Sequence, residues 1–254
     1  MAVGDVCGER GLGFLATKLR SIKNVYGIAF CIVNGENAAV FGITPRQADD
    51  IFRAGADVIT LGNHTWSKRE IIPYLDDNSF ILRPANFAPQ VAGRGWGEYE
   101  TSFGMVRVVN LIGRCAMPNF GPENPFFEAD RILKKNDPMI TLVDFHAEAT
   151  SEKQALGYYL DGRVSAVWGT HTHVQTSDGM ILPNGTGYVT DIGMTGPINS
   201  IIGIKPEQSV SMFLGEPPAR YESGSGSGKM ECCIFEIDTS SLKCVSVETL
   251  RITD

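Results

Sequence analysis

Residues 164–176 read "VSAVWGTHTHVQT". The run is short, apolar and rich in β-branched residues, passes Gly169, and ends on two imidazoles, His171 and His173. Its length and near-continuous apolarity suit a strand covered on both faces. Two imidazoles at the end of such a strand serve no packing purpose, so the pair marks a point where the chain leaves a sheet to hold something.

Similar runs lie upstream: "GIAFCIVN" (27–34), "DVITLGN" (57–63), "MVRVVNLIG" (105–113) and "MITLVDF" (139–145). Helix signals alternate with them. In "TPRQADDIFRAG" Thr44 caps, Pro45 takes the first helical position and Gln47 completes a capping box. Ser67 with Glu70 and Ser151 with Gln154 predict two further boxes, and Pro73 predicts that the helix after Ser67 is short or kinked. This alternation predicts an α/β layered core. After residue 185 the pattern turns to strands ("GTGYVTDIGM", "PPARYESG", "KMECCIFEID", "CVSVETLRI"), with one helix at "KPEQSVSMFLG". "SGSGSG" at 223–228 reads as a flexible hairpin loop. The opening "MAVGD" is short for a strand leading to a site aspartate, which predicts weak anchoring or a misassigned start. No repeat is evident, and residues 1–254 are expected to form one domain.

Composition narrows the function classes. With 43% apolar and 20% charged residues, the chain has a globular profile. No run is long enough to span a bilayer, and the start lacks a charged, then apolar, leader, so a cytoplasmic protein is expected. A formal charge of −7 argues against wrapping duplex nucleic acid, which needs a positive field. Any phosphate would then meet metal ions. The six cysteines form no C-x-x-C framework and read as small hydrophobes in a reducing compartment, with redox or metal roles as the alternative.

All four histidines, His64, His146, His171 and His173, fall where a predicted strand runs out into a polar loop. Asp5 in "GDVCG" and Glu36 with Asn37 in "NGENAA" occupy comparable strand ends. Carboxyl ends of strands are where α/β folds collect ligands. A lone histidine is ordinarily a surface or hydrogen-bonded residue, Asp5 could cap the next helix, and Asn37 could cap a turn. The coincidence of all these positions favours one polar crater. Imidazoles with carboxylates and an amide oxygen, without thiolate, suit manganese, iron or zinc. The number of donors suggests two ions bridged by a carboxylate, the usual arrangement for displacement at phosphorus.

The ordered motifs "GD", "GEN", "GNH", a single histidine after a strand and "GTHTH" resemble the calcineurin-like metallophosphoesterases. "NGENAA", "GNHTW", "RPANF", "DFHAEATSEK", "GTHTHVQT" and "TDIGMTGP" resemble the YmdB-type branch over nearly the whole chain. The resemblance implies a central β-sandwich flanked by helices (α/β/β/α). It implies that Asp5, Glu36, Asn37 and His173 hold one ion, and that Glu36 as bridge, Asn63, His146 and His171 hold the other, with iron or manganese expected and zinc the runner-up. His64 is then the proton donor. The implied reaction is attack of a metal-bound hydroxide on a small soluble 2',3'-cyclic nucleotide, leaving a 3'-nucleotide, in a protein expected to form homo-oligomers. Two departures from the superfamily stand out: Val6 and Cys7 replace the usual D-x-H histidine, and Glu36 replaces a bridging aspartate. A phosphomonoesterase, a regulatory scaffold without turnover and a one-iron oxygenase are the competing readings. "RPANF" and "GMTGP" are candidate loops for the nucleoside.

Overall fold

The computed structural model describes residues 1–117, 122–134, 137–217 and 220–254. The first half runs β1 (Ala2–Val3), β2 (Asp5–Val6), α1 (Gly8–Val25), β3 (Ile32–Asn34), α2 (Pro45–Ala54), β4 (Val58–Thr60), α3 (Ile71–Asp77) and β5 (Ile81–Leu82). Next come β6 (Trp96–Thr101), β7 (Gly104–Ile112), α4 (Pro125–Leu133), β8 (Ile140–His146), α5 (Thr150–Leu160) and β9 (Ala166–Thr170). The last part is β10 (Met180–Ile181), β11 (Gly187–Val189), β12 (Met194–Ile204), α6 (Pro206–Phe213), β13 (Ser223–Ile237) and β14 (Cys244–Thr253).

Two sheets form. One has the order β2-β12-β13-β1-β3-β4-β5 with β14 added on β13, and the other β10-β11-β9-β8-β7-β6. Ala2, Ile32, Val58 and Leu82 of the first meet Val106, Val108, Ala166 and Trp168 of the second in one apolar cluster between the sheets. The outer face of the first sheet is covered by Leu15 and Leu19 of α1, Ile51 of α2 and Leu75 of α3. Ile132 of α4 and Leu156 and Leu160 of α5 cover the second. The result is the expected calcineurin-like α/β/β/α order.

Strand periodicity explains where the site forms. Side chains alternate between faces, so Ile32 and Asn34, Val58 and Thr60, Leu142, Asp144 and His146, and Trp168 and Thr170 all point between the sheets. In each strand the inward position changes from apolar to polar toward the carboxyl end. Register aligns these changes: Asn34 lies opposite Thr60, and His146 opposite Thr170. The interior therefore becomes polar at one end of the sandwich.

Thr44 and Gln47 form the expected capping box, and α6 lies where expected. The box at Ser67 does not form: residues 63–70 are used in turns, α3 starts from Glu70, and Pro73 falls in its first turn, where an amide proton would be unpaired anyway. The box at Ser151 is also absent, because α5 starts two residues earlier, with Ala149 in the capping position. Asp5 does not cap α1, since Cys7 occupies that position.

The "SGSGSG" loop is a correction. Residues 223–228 belong to β13 and pair with β12. A Cβ on Gly224 would lie 2.6 Å from Asn199 O, and one on Gly228 would overlap the Phe14 ring. Glycine here marks a close approach. In "PPARYESG", residues 218 and 219 lie outside the described residues, and strand begins only at Ser223. Nor is the first strand weakly held: β1 pairs with both β3 and β13. Five cysteines are buried, Cys115 is exposed, and all are free. No helix of the described residues is long and apolar enough to cross a membrane.

Candidate metal centre

Five chain segments deliver the predicted residues to the polar end of the sandwich. Asp5 comes from β2, Glu36 and Asn37 from the turn after β3, Asn63 and His64 from the turn after β4, His146 from the end of β8, and His171 and His173 from the loop after β9. Two sets of ligand atoms lie within 4.8 Å of one another: Glu36, His146 and His171, and Asp5, Glu36 and His173. Glu36 is common to both. Asn63 Oδ1 adds to the first set at 2.8 Å from His146 Nε2. The Asn37 amide adjoins the second, with Nδ2 3.0 Å from His173 Nε2 and 2.9 Å from Glu36 Oε1. A half-turn of that amide puts its oxygen in the same place.

Each histidine is aimed by a bond on its far nitrogen, as metal-ligating imidazoles usually are. Thr170 Oγ1 donates to Asp144 Oδ1 at 2.8 Å and so accepts from His146 Nδ1 at 3.0 Å, which leaves the His146 Nε2 lone pair for the centre. His173 Nδ1 donates to Ile202 O at 2.8 Å. His171 is reversed: its Nε2 faces Glu148 at 3.1 Å and its Nδ1 turns inward. Thr60 and Asn34 also donate to Asp144, at 2.5 and 3.3 Å.

The loop carrying the pair is strained. His171 and His173 have φ of 100° and 62°, in the region L-residues rarely adopt. Thr172, between them, donates its amide and hydroxyl to Asp191 Oδ2 at 3.2 and 2.8 Å. The same oxygen accepts from Lys153 Nζ at 2.7 Å, and both partners are buried.

The electrostatics fit cations. Asp5 Oδ1 is buried with no hydrogen-bond partner, and burial raises the Asp5 pKa to about 6, although His173 and His146 oppose it. Burial also works against an ionised Glu36, but His146 and His64 outweigh it and hold its pKa well below the ordinary range. For His146 burial is outweighed by Glu36 and Asp5, which raise its pKa. Burial lowers His171 to about 3, keeping it neutral and ready to coordinate. Gly62 leaves the room: a Cβ there would overlap His146 Nε2 and Glu36 Oε2.

His64 stands on the rim. Its Nδ1 is 3.1 Å from Asn37 Oδ1 and 3.3 Å from Glu36 Oε1, and its ring meets Phe41 edge to face at 4.9 Å. A cavity of about 420 Å³ opens over Glu36, His64, His171 and His173, and its described lining contains no lysine or arginine. The two nucleoside loops proposed from sequence are absent from that lining. Arg83 donates to Pro84 O and Ala85 O, and Asn86 to Ile112 O and Glu123 O, so "RPANF" braces the fold. Asp144, Thr170, Asp191, Lys153 and Ile202 were not found from sequence. For Asp144 and Thr170 the available signal was a polar residue at an inward position of an apolar strand.

A model of the YmdB-like protein family matches residues 1–250. The 2',3'-cyclic-nucleotide 2'-phosphodiesterase of Bacillus subtilis (strain 168) is 42% identical over 256 residues, covering 99% of this chain and 96% of that protein. A crystal structure of a novel phosphatase from Mycoplasma pneumoniae aligns with TM-score 0.94 at 34% identity, covering 99% of this chain and 92% of the other. A hypothetical protein from Thermus thermophilus aligns with TM-score 0.91 at 37% identity, covering 100% and 98%. The NAD nucleotidase of Haemophilus influenzae, at 11% identity and TM-score 0.55 over 95% of this chain and 49% of that one, shares the fold. Matched along nearly its whole length in sequence and in structure, the chain belongs to the YmdB-like family.

Proposed function

We propose that this protein is a two-metal phosphodiesterase that opens 2',3'-cyclic nucleotides to 3'-nucleotides. The observation that carries the reading is the pair of ligand triads sharing Glu36, beside a rim histidine and under an open cavity. The cyclic substrate is suggested by the Bacillus subtilis relative's name.

Asp5, Glu36, Asn37 and His173 would hold one ion, and Glu36, Asn63, His146 and His171 the other. The donor set of imidazole, carboxylate and amide oxygen favours iron or manganese, with zinc as runner-up. When bound, such a pair activates water near neutral pH and neutralises charge on phosphoryl oxygens. With no lysine or arginine in the described lining, that neutralisation would fall mainly to the ions. In the reaction the oxygen of water would bond to phosphorus, the bond from phosphorus to O2' would break, His64 would give O2' its proton, and the proton that water releases to solvent would balance the one that His64 regains. Glu36, 3.3 Å from His64 Nδ1, fixes the ring for that transfer. The free cysteines accord with an enzyme of the cytoplasm.

Elemental analysis of purified protein, with turnover of 2',3'-cyclic AMP beside an aryl monophosphate, tests the reading. Two equivalents of metal and release of 3'-AMP are expected. Hydrolysis of the monophosphate with the cyclic ester untouched would replace it with a phosphomonoesterase.

A further inference from the structure

Much of the cavity over the metal centre is apolar. Beyond the candidate ligands and His64, its lining includes Val40, Phe41, Ile202, Ile204, Met212 and Tyr221. Phe41 is 39% exposed and Ile202 52% exposed, so apolar surface faces solvent beside the most polar point of the fold. Exposed apolar surface in a concave site marks ligand contact.

Three segments build this wall, and each is fixed. In β12 the register against β13 slips between Asn199 and Ile204. Ile202 there takes φ 48°, a true outlier for a β-branched residue and the kind of strain found at functional sites. The distortion sends Ile202 O to His173 Nδ1 while the residue itself lines the cavity. Tyr221 is bracketed by the Gln208 amide, which donates to Arg220 O and accepts from Glu222 N, both at 2.8 Å. Phe41 meets Tyr221 edge to face at 5.8 Å and His64 at 4.9 Å. The apolar wall is therefore joined to His173 through Ile202 and to His64 through Phe41.

A phosphoester with its phosphate at the two triads must lay its organic part along this lining. Few groups there could read a hydrogen-bonding edge: the polar side chains beyond the centre are Cys7, Glu148, Thr172, Ser209, Tyr221 and Ser223, of which the Thr172 hydroxyl is taken by Asp191 and the Tyr221 hydroxyl by Met212 Sδ. Aromatic and branched apolar surface suits a flat heteroaromatic ring, and every base has a face that stacks. We propose that Phe41, Ile202 and Tyr221 form the slot for the nucleobase, which holds the base by stacking and apolar contact and leaves its hydrogen-bonding edge unread. The inference rests on the phosphodiesterase reading and deepens it: the enzyme accepts every base, ranks purines above pyrimidines by stacking area, and handles cyclic phosphates without a base poorly.

Steady-state kinetics of the metal-loaded protein test this with 2',3'-cyclic AMP, 2',3'-cyclic UMP and the base-free ester glycerol 1,2-cyclic phosphate. KM should rise in that order. Phe41→Ala should lower kcat/KM for cyclic AMP about tenfold more than for the glycerol ester, mainly through KM, and Phe41→Trp should restore the preference. Tyr221→Ala should act in the same sense. Equal losses on both substrates would make Phe41 a mere support for His64 and overturn the slot, as would wild-type turnover of the glycerol ester as efficient as that of cyclic AMP. Absence of turnover on every cyclic phosphate would instead remove the phosphodiesterase reading, and the slot with it.

Discussion

Gly62→Ala tests the metal centre with one methyl group. The glycine lies in the turn leading to Asn63, and its φ is not in the left-handed region, so alanine brings no backbone strain. Its Cβ would sit against His146 Nε2 and Glu36 Oε2, inside the 3.0 Å that real Cβ contacts essentially never breach, whereas ordinary contact starts at 3.4 Å. Both atoms must therefore retreat by about 1 Å to reach ordinary contact. His146 has little room to do so, because its other nitrogen is tied to Thr170 at 3.0 Å, and Glu36 belongs to both triads. A misplacement approaching 1 Å costs on the order of 10²-fold in rate. The expected variant is folded by circular dichroism, carries less than two equivalents of metal, and has kcat/KM lowered about 10²-fold. Wild-type turnover with both metals in place would show that His146 and Glu36 do not meet around an ion.

Three more outcomes follow from the same geometry. His64→Ala should keep both metals by elemental analysis and lose about 10²- to 10⁴-fold in kcat; loss of metal would make His64 a ligand. Asp191→Asn should destabilise the fold by about 3–5 kcal/mol, because Lys153 is left buried and unpaired, and should weaken metal binding about 10- to 100-fold through the released Thr172 loop. Adding Lys153→Met should recover the melting temperature but not the metal affinity, and recovery of both would reduce Asp191 to a structural role. Finally, the metal-free protein holds a proton on Asp5 below a pKa of about 6, and the His146 pKa is also raised. Metal must displace these protons, so affinity should fall as pH drops from 7 to 5, most steeply below about pH 6, where each proton displaced approaches a loss of about tenfold per pH unit. Manganese titrations at the two pH values check this, and equal affinities would refute it.

The residues that the sequence nominated gather at one place because nearly all stand at or just past the end of a strand, where the chain turns from apolar to polar within a few positions, as at "LGNH" and "DFH". A local change of that kind can be read from one chain. What holds the ligands could not be read the same way. Asp144 lies inside "MITLVDF", and its role is set by Thr60 and Asn34, which reach it across the sandwich from β4 and β3, and by Thr170 on the neighbouring strand β9. Lys153 reads as a surface residue in "SEKQ" yet is buried against Asp191. "SGSGSG" has the composition of a loop and becomes strand because Phe14 and Asn199 leave no room for side chains. Non-local packing decides each of these cases.

Strain and hydrogen bonding at the centre belong to one device. His171, His173 and Ile202 all have positive φ, and such residues cost about 1–3 kcal/mol each. They persist only where the surroundings over-determine them, and here the constraints are visible: Asp191 takes both Thr172 protons, Ile202 O takes the His173 Nδ1 proton, and Lys153 fixes Asp191. None of these bonds needs an ion. On the proposed reading the imidazoles would be held near their ligating positions by the protein itself, unlike a small zinc domain whose fold depends on the metal. The bulge that supplies Ile202 O also lines the cavity with Ile202, so a change in the apolar wall reaches His173 directly. In the proposed enzyme, substrate fit and metal geometry are therefore coupled through a single strained residue, and a substitution there should alter both.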